Sequence, residues 1–159
     1  MSVSRIIALA AILSTPQFAA ASPVVDPSCQ LKPGEPDNCV PLVGCVGDDG
    51  RYFVGEAIGW DAGDLTAETD DGLACSGRWQ ARTAIGAGQA NFQCGGELNG
   101  VVLFTYQDHT TGTTTGRGAT SDGRGLRVWS GHNIRRYIEQ QSGSVDAQLM
   151  CGTSVVPLG

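Results

Sequence analysis

Two histidines limit what acid–base chemistry this chain can perform. His109 follows Asp108 in a stretch that reads as a turn, where such a pair would face solvent and a substrate. His132 follows Ser130-Gly131, so Ser130, His132 and some aspartate supply the residue types of a nucleophilic hydrolase. A triad is defined by geometry and not by neighbours in sequence, and no G-x-S-x-G elbow is present. The ordinary reading of both histidines is a polar turn and a helix start.

Other constellations are weaker. Asp61, Asp64, Glu68, Asp70 and Asp71 offer oxygens of the kind calcium takes, but the D-x-[DN]-x-[DN]-G loop is missing and an acidic surface loop explains them as well. Glu56 and one of these acids could form a hydrolytic carboxylate pair, although no spacing selects one. Arg124, Arg127, Arg135 and Arg136 cluster late in the chain near Trp129. Arginine beside an aromatic ring can grip an anionic ligand, and Arg127, Trp129, His132 and Arg135 are the candidate ligand-binding group. Gly116-Arg117-Gly118 lacks the Lys-Ser/Thr ending of a phosphate loop.

Six cysteines, Cys29, Cys39, Cys45, Cys75, Cys94 and Cys151, make an even set. The closest pair, Cys39 and Cys45, is too widely spaced for a zinc knuckle, and C-x-x-C is absent. Three disulfides are expected, with the connectivity open among 15 possibilities. Three cysteines precede residue 46 and three follow residue 74, so at least one bridge must join the two groups. It is expected to pin the Pro-rich start onto the later domain.

That expectation matches the N-terminal pattern. Arg5, the apolar run Ile6 to Leu13 and Ala19-Ala20-Ala21 read as a secretory signal peptide over residues 1–21, with Ser22 as the first mature residue. The apolar run is too short to span a bilayer, and no later stretch is apolar enough. No cysteine stands at the cleavage point to carry a lipid. A secreted or periplasmic location follows.

The elements that would position these groups are strands. The chain has 159 residues, 41% hydrophobic and 16% charged, with 23 glycines, which suits one domain. Residues 22–39 hold Pro23, Pro27, Pro33 and Pro36 and read as an irregular arm ahead of a single β-rich domain over 40–159. Strands are expected at 40–46 and 51–60, an acidic loop at 61–76, then strands at 78–85, 88–94, 101–108, 113–120 and 125–130. Alternation is clearest at Trp79, Ala81, Thr83 and Ile85, at Ala90, Phe92 and Cys94, and at Val102, Phe104 and Tyr106. Short links such as Asn99-Gly100 and Asp122-Gly123 suit hairpins, so 78–130 reads as a five-stranded meander. Gly116 and Gly118 share a strand face that a ring such as Trp79 could cover. Ile134, Tyr137, Ile138 and Gln141 have helical spacing within 132–141, with Gly143 as a stop. One or two short strands close the chain after residue 146.

Gly77-Arg78-Trp79 resembles the G-x-W that opens lipocalin-type barrels and small barrel inhibitors of secreted metalloproteases. The resemblance covers three residues. Too few strands follow Trp79 to build eight without the chain before it.

The net charge is −6, which excludes a nucleic-acid binder held by bulk charge. The charge is uneven. Residues 22–77 hold eleven acids against Lys32 and Arg51, while 78–159 hold seven arginines against five acids. The two halves are expected to pack together and compensate each other. The fold expected is mainly β, an antiparallel meander curling into a barrel or half-barrel, with one short C-terminal helix and disulfides. The function expected is a non-catalytic binding or interaction module with a protein or small-ligand partner in the cell envelope or outside it. It needs no cofactor, metal or nucleic acid. The alternatives are an inhibitor of a secreted hydrolase, using the arm as a wedge, and a small hydrolase using His109 or His132.

Overall fold

Period-two alternation governs most of the chain, because successive side chains on a strand point to opposite faces. The computed structural model describes residues 25–158; residues 1–21, read above as a signal peptide, lie outside them. Eight strands form a closed antiparallel barrel: β1 Cys39–Val46, β2 Arg51–Trp60, β3 Ala62–Thr69, β4 Ala74–Gln80, β5 Gln89–Cys94, β6 Leu98–Asp108, β7 Thr113–Thr120 and β8 Gly125–Ser130. Each strand pairs with the next. The ring closes where β1 meets β8, from Leu42 opposite Ser130 to Val46 opposite Leu126. The helix α1, Ile134–Ser142, and a small hairpin of β9, Met150–Cys151, and β10, Ser154–Val155, follow.

Residues 61–76, expected as a loop, instead form β3 and the start of β4. The acids that suggested a loop, Asp64 and Glu68, sit on the outward face, while Leu65 and Thr69 are buried inward. Between the two strands, Thr69 to Leu73 make a tight turn with Gly72 at φ 86°. The next strand ends at Gln80, earlier than expected, and Ile85 is 81% exposed. Tyr106 does not share a face with Val102 and Phe104. Pairing with β7 slips between Phe104 and Tyr106, leaving Thr105 as a bulge. Tyr106 then stacks outside the barrel on Tyr137 of α1, with ring centroids 5.4 Å apart.

The barrel interior is filled at one end. Val46, Leu98 and Leu126 are buried there beside the Cys75–Cys94 bridge, which joins directly opposed residues of β4 and β5. Phe53 and Phe92 stack across the middle, centroids 5.1 Å apart. Strand glycines make room for these rings. A Cβ on Gly44 would lie 2.2 Å from Phe53 Cζ, and one on Gly100 2.6 Å from Phe92 Cε1. Gly116 is covered by Val102 and Phe104, and Gly118 by the β6 backbone, not by Trp79.

A second core lies outside the barrel wall. Val43, Cys45, Tyr52 and Val54 point outward and are buried under Ile134, Leu149, Cys151 and Val156. The Cys45–Cys151 bridge fastens this wrap to β1. The bridge joining the early and late cysteines therefore leaves from β1. The Pro-rich arm is tied to the first residue of β1 by Cys29–Cys39.

Candidate functional site

The end of the barrel opposite the Cys75–Cys94 bridge is open. Above the Phe53–Phe92 pair lies a cavity of about 90 Å³. Val40 and Leu42 of β1, Leu65 of β3, and Val102 and Phe104 of β6 line it. Two small inward side chains, Ala57 on β2 and Ala90 on β5, leave the space open. Eight-stranded barrels are just wide enough to be filled by side chains or to hold one small ligand. Here the same barrel does the first at one end and leaves room for the second at the other.

Polar groups collect at the rim, where Asn38, Asp61, Gln107, Asp108, His109 and Ser130 reach the cavity. Trp79 enters from β4, half-buried, and its indole N–H donates to the Ile58 carbonyl at 3.3 Å. Asn38 is 4% exposed and fully engaged: its amide donates to the Gly59 carbonyl at 2.9 Å and accepts from the Lys32 N–H at 2.8 Å. These bonds fold the Pro-rich arm onto one side of the mouth, with Leu31 packed against the barrel core.

Of the residues picked for catalysis, Asp108, Ser130 and His132 are committed to structure, while His109 is exposed at the rim of the cavity and its side chain makes no hydrogen bond among the described residues. The Asp108 carboxylate accepts from the Thr111 hydroxyl at 2.7 Å and the Thr110 N–H at 2.9 Å. The Thr111 bond, then the Thr110 bond, hold its pKa below the ordinary value. The carboxylate thus closes its own turn. His132 Nε2 donates to the Cys39 carbonyl at 3.0 Å, and the Ser130 hydroxyl donates to the Gly112 carbonyl at 3.5 Å. Ser130 and His132 each bond to the backbone of a different segment.

Of the four residues grouped for ligand binding, two touch. The Arg127 guanidinium lies 5.9 Å from the Trp129 ring centroid, on the outer wall of β8. Arg135 is exposed on α1. Arg124 is taken up by Asp122, 2.8 Å away. Calcium finds no cage in the acidic stretch: Asp64 and Glu68 are four strand positions apart, roughly 13 Å. Among the described residues the metal-type cluster is Cys29, Cys39 and Glu56, whose sulfurs are spent in a disulfide and offer no thiolate.

The sequence reading missed the cavity itself. Its signal was available as two alanines, Ala57 and Ala90, on the inward face of one barrel end. Recognising it required knowing that β2 and β5 face a common interior.

Charge compensation between the two halves is slight. Among the described residues one ion pair crosses them, Arg78 with Asp64 at 3.8 Å, and it is exposed. The G-x-W motif falls on the fourth strand and not the first, so it does not carry the barrel resemblance. Comparisons with protein-family models, with curated proteins and with solved structures return no match.

Proposed function

We propose that this chain is an exported, disulfide-stabilised binding module whose barrel takes a small apolar ligand, or the apolar end of a larger one, through its polar rim. The carrying observation is the division of the interior, packed below the Phe53–Phe92 stack and open above it. A ligand pocket of this kind is apolar with a few polar groups at its mouth. The volume of about 90 Å³ suits a group smaller than the benzene that fills a cavity of ~150 Å³, so anything longer projects past the rim. Export is supported by the N-terminal pattern at 1–21 and by three intramolecular disulfides, which belong to oxidising compartments. No helix among the described residues is long and apolar enough to cross a membrane. The engagement of Asp108, Ser130 and His132 in backbone contacts favours binding over hydrolysis.

Titration with 1-propanol, whose alkyl group is smaller than benzene, tests the reading, with the emission of Trp60 and Trp79 at the cavity as the signal and Ala90→Leu as the filled-cavity control. A saturable change in the parent protein, lost in the control while near-UV circular dichroism is kept, is the expected result. An unresponsive parent protein, or equal responses from both, overturns it.

A further inference from the structure

A second site lies outside the barrel. Arg117 of β7 and Arg127 of β8 are direct cross-strand partners and share the outward face. Like charges placed opposite each other on a sheet repel. Among the described residues no carboxylate lies within 4.0 Å of either guanidinium. Both arginines line a groove between the barrel wall and α1, and no acidic side chain lines it with them. The last turn of α1 forms the far side through Gln141 and Ser142. The carbonyls of a helix C-terminus supply about half a negative charge, well short of two guanidiniums. This imbalance stands on a protein whose net charge is −6.

The groove is also shaped. The Arg127 guanidinium lies over the Trp129 ring, 5.9 Å from its centroid and within cation–π reach. The Thr105 bulge turns Tyr106 out onto Tyr137, which braces α1 away from the strands. The bulged Thr105 hydroxyl meets Thr115 at the groove wall, 3.2 Å from its hydroxyl. Bulges of this kind often re-aim side chains beside a binding site.

We propose that Arg117 and Arg127 bind an oxyanion, a carboxylate or phosphate group of a small solute, in this groove. Charge-assisted bonds from two guanidinium forks would relieve the repulsion that the register imposes. The proposal is independent of the cavity reading.

The test is an NMR titration of the whole secreted chain at low ionic strength, following the Trp129 indole N–H. Citrate and inorganic phosphate are the probes and distinguish the two oxyanion sources. Binding by either is a saturable shift, weakened at least about tenfold in Arg117→Gln/Arg127→Gln. In Arg135→Gln/Arg136→Gln, which removes two exposed charges from the same helix, binding is retained. Conservative Arg127→Lys separates fold from chemistry, since it keeps charge and loses the fork. The proposal is overturned if neither probe gives a saturable shift, or if the α1 double variant loses binding as much as the strand double variant does.

Discussion

Thr69 and Thr120 are two of the four buried polar residues among those described, and they do the same work. In Thr69-Asp70-Asp71-Gly72-Leu73 and Thr120-Ser121-Asp122-Gly123-Arg124, the threonine hydroxyl donates to the aspartate two positions on. It also accepts the N–H of the fifth residue, at 2.8 Å from Leu73 and 2.9 Å from Arg124. Glycine supplies the positive φ that the fourth position needs, 86° and 88°. Thr120→Val keeps the shape and strands these partners, so it should lower unfolding free energy by about 1–2 kcal/mol in urea titration. The aspartates are acidified by the same contacts. The Arg124 side-chain bond, then the Thr120 bond, bring Asp122 down to about 2. A carboxyl with a depressed folded pKa stabilises the fold above the unfolded value of 3.8 and loses that contribution as pH falls towards 2. An NMR titration of Asp122 should show a midpoint near 2 in the parent protein, rising towards 3.8 in Arg124→Gln. Gly44 is the other sensitive position, because the Phe53 ring occupies the space of its missing Cβ. Gly44→Ala should cost about 1–3 kcal/mol, and Phe53→Leu in the same chain should recover part of it.

At the scale of elements, what could be read from the residues depended on how many faces each strand buries. β4 and β5 alternate cleanly because one face meets the core and the other meets water: Cys75 and Trp79 against Arg78, Phe92 and Cys94 against Gln93. The fold class was legible from such strands. β1 and β2 bury both faces, one in the barrel and one under the C-terminal wrap, so their apolar residues run together. β3 was hidden by composition, since its outward acids resemble a loop. Its turn carries the T-x-D-G signal also found at residues 120–123, which marks a hairpin at both places. The Thr105 bulge could not be read, because a one-residue slip leaves the apparent alternation of Val102, Phe104 and Tyr106 intact while reversing the last side chain. The wrap itself depends on Cys45–Cys151, which spans 106 residues. Loop-closure entropy assigns such a bridge roughly 4–5 kcal/mol. Cys45→Ser/Cys151→Ser should lose about that much stability, and limited proteolysis should cut first in the released segment after α1, before the barrel.

At the scale of the whole molecule, one closed barrel carries two environments. Its lower half is a packed core held by a bridge, and its upper half is a space shaped by small residues and rimmed by polar ones. The candidate catalytic residues were visible in sequence, and the cavity was not, because a cavity is made by what eight strands leave unfilled together. Closure also explains why the chain before Trp79 was needed: β1, β2 and β3 complete the ring that β4 to β8 begin. Xenon tests the division most directly, since it enters dry apolar cavities and reports their position in a crystal. A xenon peak is expected among Ala57, Leu65, Ala90 and Val102 under pressure, and none there in Ala90→Leu. A parent crystal with no xenon inside the barrel, or with xenon among Val46, Leu98 and Leu126, would contradict that division.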